Sequence, residues 1–265
     1  MNGNVLQRFF GLHDKTILVT GANRGIGLSL ARSIGLAGGK VVIWGRSPER
    51  NAIAADELEA LDIEVLAQDV DVIDESAVEA AFTAAVAHFG SIHGVVANAG
   101  IATQAAPFHK VETGEYDRVL ATNQLGVMYT LRAATRHMVD RAEKGGPGGS
   151  LIGIASTAAV QGYTNRSAYA ATKGAMLSVM RTVGAEVGHL GIRANSVVLG
   201  VIDTDIIPDA HRGPITDRLA QRAMIPRLGL PDEVAPLIIY LLAEGSTFHT
   251  GDCLVLDGGV TYRGL

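Results

Sequence analysis

The most constraining feature of the chain lies near its start. The apolar, β-branched run 16–20 passes directly into Thr20-Gly21-Ala22-Asn23-Arg24-Gly25-Ile26-Gly27, and a helical period follows with Ile26, Leu30 and Ile34 on one face. A strand, a tight glycine turn and a helix start in immediate succession present free backbone N–H groups and a positive helix end to an anion such as a pyrophosphate. Gly21 permits the turn, Gly25 lets the anion approach the backbone, and Gly27 lets helix and strand pack closely. The spacing is GxxxGxG rather than GxGxxG, so the context carries the reading more than the glycines do.

The same alternation runs on through the chain. Short apolar runs at 40–44, 64–67, 93–97, 151–155, 193–198 and 254–256 are separated by helical segments, one of which aligns Val78, Phe82, Ala85 and Phe89. Seven strands with interleaved helices predict an α/β fold: a Rossmann-type, doubly wound, seven-stranded parallel sheet flanked by helices on both faces. With 265 residues, 48% of them hydrophobic, and no linker between Thr16 and Gly259, the whole of 1–265 reads as a single domain. Gly145, Gly146, Gly148 and Gly149 around Pro147 read as a surface loop. The segment 205–228, with Pro208, Gly213, Pro214 and Pro226, reads as an irregular lid holding a short helix; its Ile206, Ile207, Leu219 and Met224 suggest a partly hydrophobic substrate.

Composition removes several functions. A net charge of -5 with scattered Lys and Arg argues against a nucleic-acid partner. Met1 to Asp14 has no signal-peptide pattern and no apolar stretch reaches spanning length, so no membrane is implicated and a cytoplasmic location is expected. The lone Cys253 has neither a disulfide partner nor Cys/His neighbours at metal-ligand spacing; it reads as a small core residue, and no metal is expected.

The second strand bears on the cofactor. Sites for NAD carry an acid about 20 residues beyond the glycine turn to hold the ribose 2′-hydroxyl, whereas sites for NADP replace it and offer an Arg. The acid is expected where Gly45 stands, and Arg46 and Ser47 follow. Arg24, inside the turn, offers a second guanidinium to the same 2′-phosphate. The expected cofactor is therefore NADP(H).

Tyr169 and Lys173 sit four residues apart at the start of a predicted helix and so share a face. A free phenol titrates near 10, and a fixed cation nearby favours the phenolate, which makes it a usable proton-transfer group. Chance supplies this pair often, but Ser156 closes the fifth strand and Asn98-Ala99-Gly100 the fourth, at the sheet edge where open parallel sheets bind ligands. Asn123 lies in an otherwise apolar helical stretch with Val119 and Val127, where its ordinary role is a satisfied backbone or helix–helix hydrogen bond.

Taken in order, these motifs identify the chain as resembling the short-chain dehydrogenase/reductase family, in its shorter branch akin to 3-oxoacyl-carrier-protein reductases, over nearly all of 16–259. The family's TGxxxGxG falls on Thr20 to Gly27, its Asn-Ser-Tyr-Lys set on Asn123, Ser156, Tyr169 and Lys173, its adenine-side Asp-Val on Asp69 and Val70, and its NAG on Asn98, Ala99 and Gly100. There are two departures: Ala97 replaces an Asn, and Leu199 replaces the Pro before Gly200.

The resemblance implies hydride transfer between NADP(H) and a small-molecule carbonyl or alcohol. Tyr169 would exchange the proton, Ser156 would polarise the oxygen, Lys173 would lower the Tyr169 pKa and hold ribose hydroxyls, and Asn123 would anchor a relay water. It also implies cofactor contacts from Gly21, Asn23, Arg24, Gly25, Ile26, Gly27, Arg46, Ser47, Gly200, Ile202 and Thr204, and a homotetramer. The long helices around Val127 and Val179 could carry the contacts between subunits or face the sheet.

Other classes fit less well. A catalytically silent NADP(H)-binding sensor or scaffold on the same fold is the alternative, though such a chain would be expected to lose some of the four side chains. A serine hydrolase lacks its GxSxG elbow, and a phosphate-loop NTPase lacks GxxxxGK[ST].

Overall fold

A computed structural model describes residues 5–204 and 213–262. Its centre is one seven-stranded sheet, β1 (Thr16–Thr20), β2 (Lys40–Gly45), β3 (Val65–Asp69), β4 (Gly94–Ala97), β5 (Gly149–Ser156), β6 (Ile192–Leu199) and β7 (Cys253–Leu256). The order is β3-β2-β1-β4-β5-β6-β7 and every pairing is parallel. All seven strands lie within one residue of the sequence-based positions, except that β3 ends two residues later and β5 starts two residues earlier.

Alternation along the strands sorts side chains to two faces. Leu18, Val42, Val95 and Leu151 point into one core, where α4 (Glu75–Phe89), α6 (Gly126–Glu143) and α7 (Ser167–Val187) supply Val78, Phe82, Leu131, Met138, Met176 and Met180. Ile17, Val19, Val41, Ile43 and Ile152 point into the other, against Leu30 and Ile34 of α2 (Gly25–Leu36), Leu58 of α3 (Pro48–Glu59) and Ile238 of α9 (Ala235–Leu242). Val127 belongs to the first core, so its stretch of α6 faces the sheet.

The topology has one decisive consequence. The chain departs from β1 toward β2 on one side and returns through β4 on the other, so the connections diverge at the carboxyl ends of β1 and β4 and leave a crevice.

Several elements differ from the sequence reading. A short helix, α1 (Val5–Phe10), precedes the fold and packs lightly, with Val5 and Leu6 about two-thirds exposed. Cys253 is half-buried at the start of β7, packed against the margin of the first core and close to Arg181. Of the lid 205–228, residues 205–212, with Ile206 and Ile207, lie outside the described residues; the remainder contains α8 (Pro214–Ala220), with Met224 exposed beyond it. Among the described residues no helix is long and apolar enough to cross a membrane and no metal-binding cluster of His, Cys, Asp and Glu occurs.

Candidate active site

A cleft of about 250 Å³ opens at the crevice. Of the residues singled out for a cofactor, Gly21, Asn23, Arg24, Gly25, Ile26, Gly27, Arg46, Ser47, Val70, Asn98, Ala99, Gly100 and Thr204 line it, joined by Arg50 and Asp71. The glycines are needed here. Gly21 and Gly25 adopt φ of +64° and +54°, and a Cβ on Gly27 would stand 2.2 Å from the Gly21 carbonyl oxygen. Arg24 precedes α2 without a side-chain cap, so the helix start faces the cleft with its own N–H groups.

The turn is anchored by β4. The Asn98 and Ala99 N–H groups donate to Thr20 Oγ1 at 3.0 and 2.9 Å, and Asn98 Nδ2 donates to the Thr20 and Gly21 carbonyls at 2.9 and 3.2 Å. The motifs TG and NAG are thus two halves of one hydrogen-bonded unit.

Of the other residues expected to meet the cofactor, Tyr169 and Lys173 stand beside the cleft and three lie away from its lining. Asp69 does not line the cleft: its carboxylate accepts from Asn51 Nδ2 at 2.7 Å. Gly200 and Ile202 line a neighbouring cavity of about 120 Å³ at the carboxyl ends of β6 and β7, with Leu219, Ile225, Leu228, Asp257 and Val260. The cause in both cases is position in the sheet: Asp69 ends the edge strand β3 one residue short of the cleft, and the segment after β6 turns toward Gly229, with which Ile202 pairs.

The four residues of the proton-transfer set converge beside the cleft. Tyr169 is partly buried near the start of α7, beside the Ser156 side chain at the end of β5, whose Oγ accepts from Ala158 N at 3.2 Å. Burial pushes the phenol above its ordinary value, while Ser156 and then the charge of Arg166 pull it back down. Lys173 is buried, and burial lowers it to about 8.

The Lys173 ammonium donates to the Ile154 carbonyl at 2.7 Å and lies 5.7 Å from the Tyr169 ring centre. The ammonium thus satisfies a hydrogen bond at the Ile154 carbonyl while its charge stays over the Tyr169 ring.

Asn123 occupies a π-helical turn, Ala121–Leu125, between α5 (Thr113–Leu120) and α6. It is fully buried and brackets one residue of the loop after β4, accepting from Ile101 N at 2.8 Å and donating to Ile101 O at 2.9 Å. A Cβ on Gly100 would stand 3.3 Å from Asn123 Oδ1 and 3.6 Å from Lys173 Nζ, so both side chains meet at the cleft floor. The extra residue of the π turn is what swings Asn123 inward.

Sequence reasoning overlooked Asn51. Buried in the first turn of α3, it donates to the carbonyls of Gly45 (2.9 Å) and Gln68 (3.2 Å) as well as to Asp69, and accepts from Asn23 Nδ2 at 2.7 Å. Its signal in the sequence is slight: an amide in the first turn of a helix otherwise full of charges and alanines.

A fold of this topology, with glycine cleft and Ser-Tyr-Lys cluster at one sheet edge, defines a dinucleotide-dependent oxidoreductase. The profile described as enoyl-(acyl carrier protein) reductase matches residues 21–261. The chain is 36% identical over 260 residues to an L-rhamnose 1-dehydrogenase (NAD(P)(+)) of Azotobacter vinelandii, covering 94% of this chain and 97% of that one. It is 32% identical over 250 residues to a 3-oxoacyl-[acyl-carrier-protein] reductase of Chlamydia trachomatis, covering 94% and 98%.

Among solved structures, a gluconate 5-dehydrogenase of Burkholderia cenocepacia in complex with NADP and tartrate superposes with a TM-score of 0.91 at 31% identity, covering 97% and 99%. The chain belongs to the short-chain dehydrogenase/reductase family of oxidoreductases, which bind a nicotinamide cofactor.

Proposed function

We propose that the chain is an NADP(H)-dependent oxidoreductase interconverting a carbonyl and a secondary alcohol, with Tyr169 as the proton-transferring group. The observation that carries this is the grouping of Tyr169 with Ser156 and Lys173 beside a cleft whose ribose end offers Arg24, Arg46 and Arg50 and no carboxylate at position 45.

The cleft fits the cofactor on its own terms: positive-φ glycines, an uncapped helix start and three guanidinium groups suit a pyrophosphate and a 2′-phosphate. When bound, the nicotinamide supplies or accepts the hydride. Ser156 holds and polarises the substrate oxygen. Tyr169 gives its proton to that oxygen as the carbonyl becomes an alcohol, and takes it back in the reverse direction. A phenol raised by burial is the acid form that reduction requires.

Lys173, retaining its charge at neutral pH, and Asn123, through its grip on Ile101, fix the floor on which cofactor and substrate meet. The second cavity, lined by Ile202, Leu219, Ile225, Leu228 and Val260, supports a partly apolar substrate covered by the 205–228 segment within a single 1–265 unit. Leu125, at the end of the π turn, and Met128, in the first turn of α6, are both about two-fifths exposed and support a homo-oligomer.

Optical measurement of NADPH oxidation against ketones, aldehydes, keto acids and sugars tests the reading. Turnover with a carbonyl compound, faster with NADPH than with NADH, is expected. Tight NADPH binding without turnover of any of them would instead favour a sensor.

A further inference from the structure

The end of β2 carries Gly45 where an NAD site carries an acid, and the space around it is already filled. A Cβ placed on Gly45 would stand 2.3 Å from Asn23 Nδ2 and 2.3 Å from Asn51 Oδ1, and 2.8 Å from Asn23 Cγ. The φ at Gly45 is not in the left-handed region, so the backbone there suits any residue and the obstacle is space alone.

The atoms in the way are ends of side chains, which ordinarily move aside. These do not have that freedom. Asn51 is 2% exposed, its Nδ2 is committed to the Gly45 and Gln68 carbonyls and the Asp69 carboxylate, and its Oδ1 holds Asn23. Rotating Asn51 away would leave buried carbonyls without their donor. Asn23, in turn, is fixed across the cleft wall by Asn51.

We propose that Asn51 is a specificity-determining residue, which by holding Asn23 across the end of β2 fills the volume an acidic side chain at position 45 would need and so reserves the ribose end of the cleft for a phosphate-bearing cofactor. Asn51 does not itself line the cleft and acts through Asn23 and Gly45, which do; it is a positioning residue. The proposal rests on the NADP(H) reading and adds to it a cause. Cofactor choice here is set by a filled space as well as by the Arg groups, which makes it a case of selection against the competitor.

The test is a thermodynamic cycle read by direct fluorescence titration of NADPH and NADH into the full chain: wild type, Gly45→Asp, Asn51→Ala and the Gly45→Asp/Asn51→Ala double variant. Wild type is expected to bind NADPH at least tenfold more tightly than NADH. Gly45→Asp alone is expected to weaken NADPH without gaining NADH, because the new carboxylate has no room to reach its place. Adding Asn51→Ala releases Asn23, and the NADPH:NADH affinity ratio should then move toward NADH at least tenfold further than the two single changes predict together.

Additive single effects, or a gain of NADH affinity in Gly45→Asp alone, would overturn the role of Asn51. A wild type without NADPH preference would overturn the cofactor reading instead, and the coupling between positions 45 and 51 would still be measured. Should Gly45→Asp not fold, Gly45→Ala carries the same clash: it should lower the melting temperature of wild type more than it lowers that of Asn51→Ala, and a Gly45→Ala variant as stable as wild type would sink the proposal.

Discussion

Both edges of the sheet gather buried titratable groups, yet they are built to different ends. At the carboxyl edge stand Ser156, Tyr169, Lys173 and Asn123. At the amino edge stand His93, His137 and Arg141, joined by Ser91. There, each group is consumed by structure. His93 Nδ1 accepts from Thr16 N at 3.0 Å, His137 Nε2 accepts from Ile92 N at 3.2 Å, and Arg141 donates to Ser91 and to the carbonyls of Ile92, Pro147 and Gly148. Neither the glycine cleft nor the neighbouring cavity is lined by them. At the carboxyl edge Ser156 Oγ accepts from Ala158 N at 3.2 Å and keeps its own O–H to donate, with Tyr169 beside it. Perturbed ionisation alone therefore does not mark a catalytic site; a group must also keep an atom free for a ligand.

The sharpest way to break this contrast is to remove one reacting atom. Tyr169→Phe should lower turnover by about 10²- to 10⁴-fold, the usual worth of a positioned acid–base group. NADPH affinity and melting temperature should change little, because the ring and its packing stay. Turnover near that of wild type would show that the proton comes from elsewhere. The mirror experiment belongs to the other edge. Arg141→Leu deletes the donor to the loop before β5 and leaves partly buried acceptors bare, at about 1–3 kcal/mol. A lower denaturation midpoint with unchanged turnover per folded molecule is expected; lost turnover in fully folded protein would tie the amino edge to catalysis.

The difference between the edges also explains how much the sequence discloses. Motifs built by backbone were legible: Gly21, Gly25 and Gly27 need their conformation or their missing Cβ, and Ser156 and Tyr169 sit where strand ends and helix starts must place them. What depends on which partner a side chain selects was not. Lys173 shares a face with Tyr169, as spacing requires, but its ammonium takes the Ile154 carbonyl, an acceptor 19 residues away that no spacing reveals. Asp69 and Asn51 meet only because α3 packs back over the ends of β2 and β3. The π turn that aims Asn123 inward adds a residue to a helix without altering its apolar pattern.

A smaller effect sharpens the carboxyl edge itself. Arg46 is largely exposed and stands 3.9 Å from Asp71 across the mouth of the cleft, so it is loosely held and available to a phosphate. Replacing it by Asp puts two carboxylates side by side where the 2′-phosphate would bind. The NADPH:NADH ratio of kcat/KM should fall by about tenfold or more, the scale of one charge-assisted contact. An unchanged ratio would place the phosphate away from Arg46.

The smallest effect is a pH dependence confined to the amino edge. Burial lowers His93 to about 4, helped by the charges of Arg141, Lys15 and His137 and opposed by Asp14. The cause is also geometric, since Nδ1 must stay unprotonated to accept from Thr16 N, the first residue of β1. A histidine whose folded value lies below its unfolded one favours the fold when neutral. That contribution is complete above about 6.5 and is lost as pH falls toward 4, because the unfolded chain takes up the proton first. Melting temperature should therefore decline through this window, and His93→Gln, which cannot titrate, should decline less steeply. Equal slopes would mean that His93 is not held neutral by the fold. Since the group lies at the far edge, the NADPH:NADH preference should be the same on both sides of the window even as stability falls, which separates the two edges in one titration.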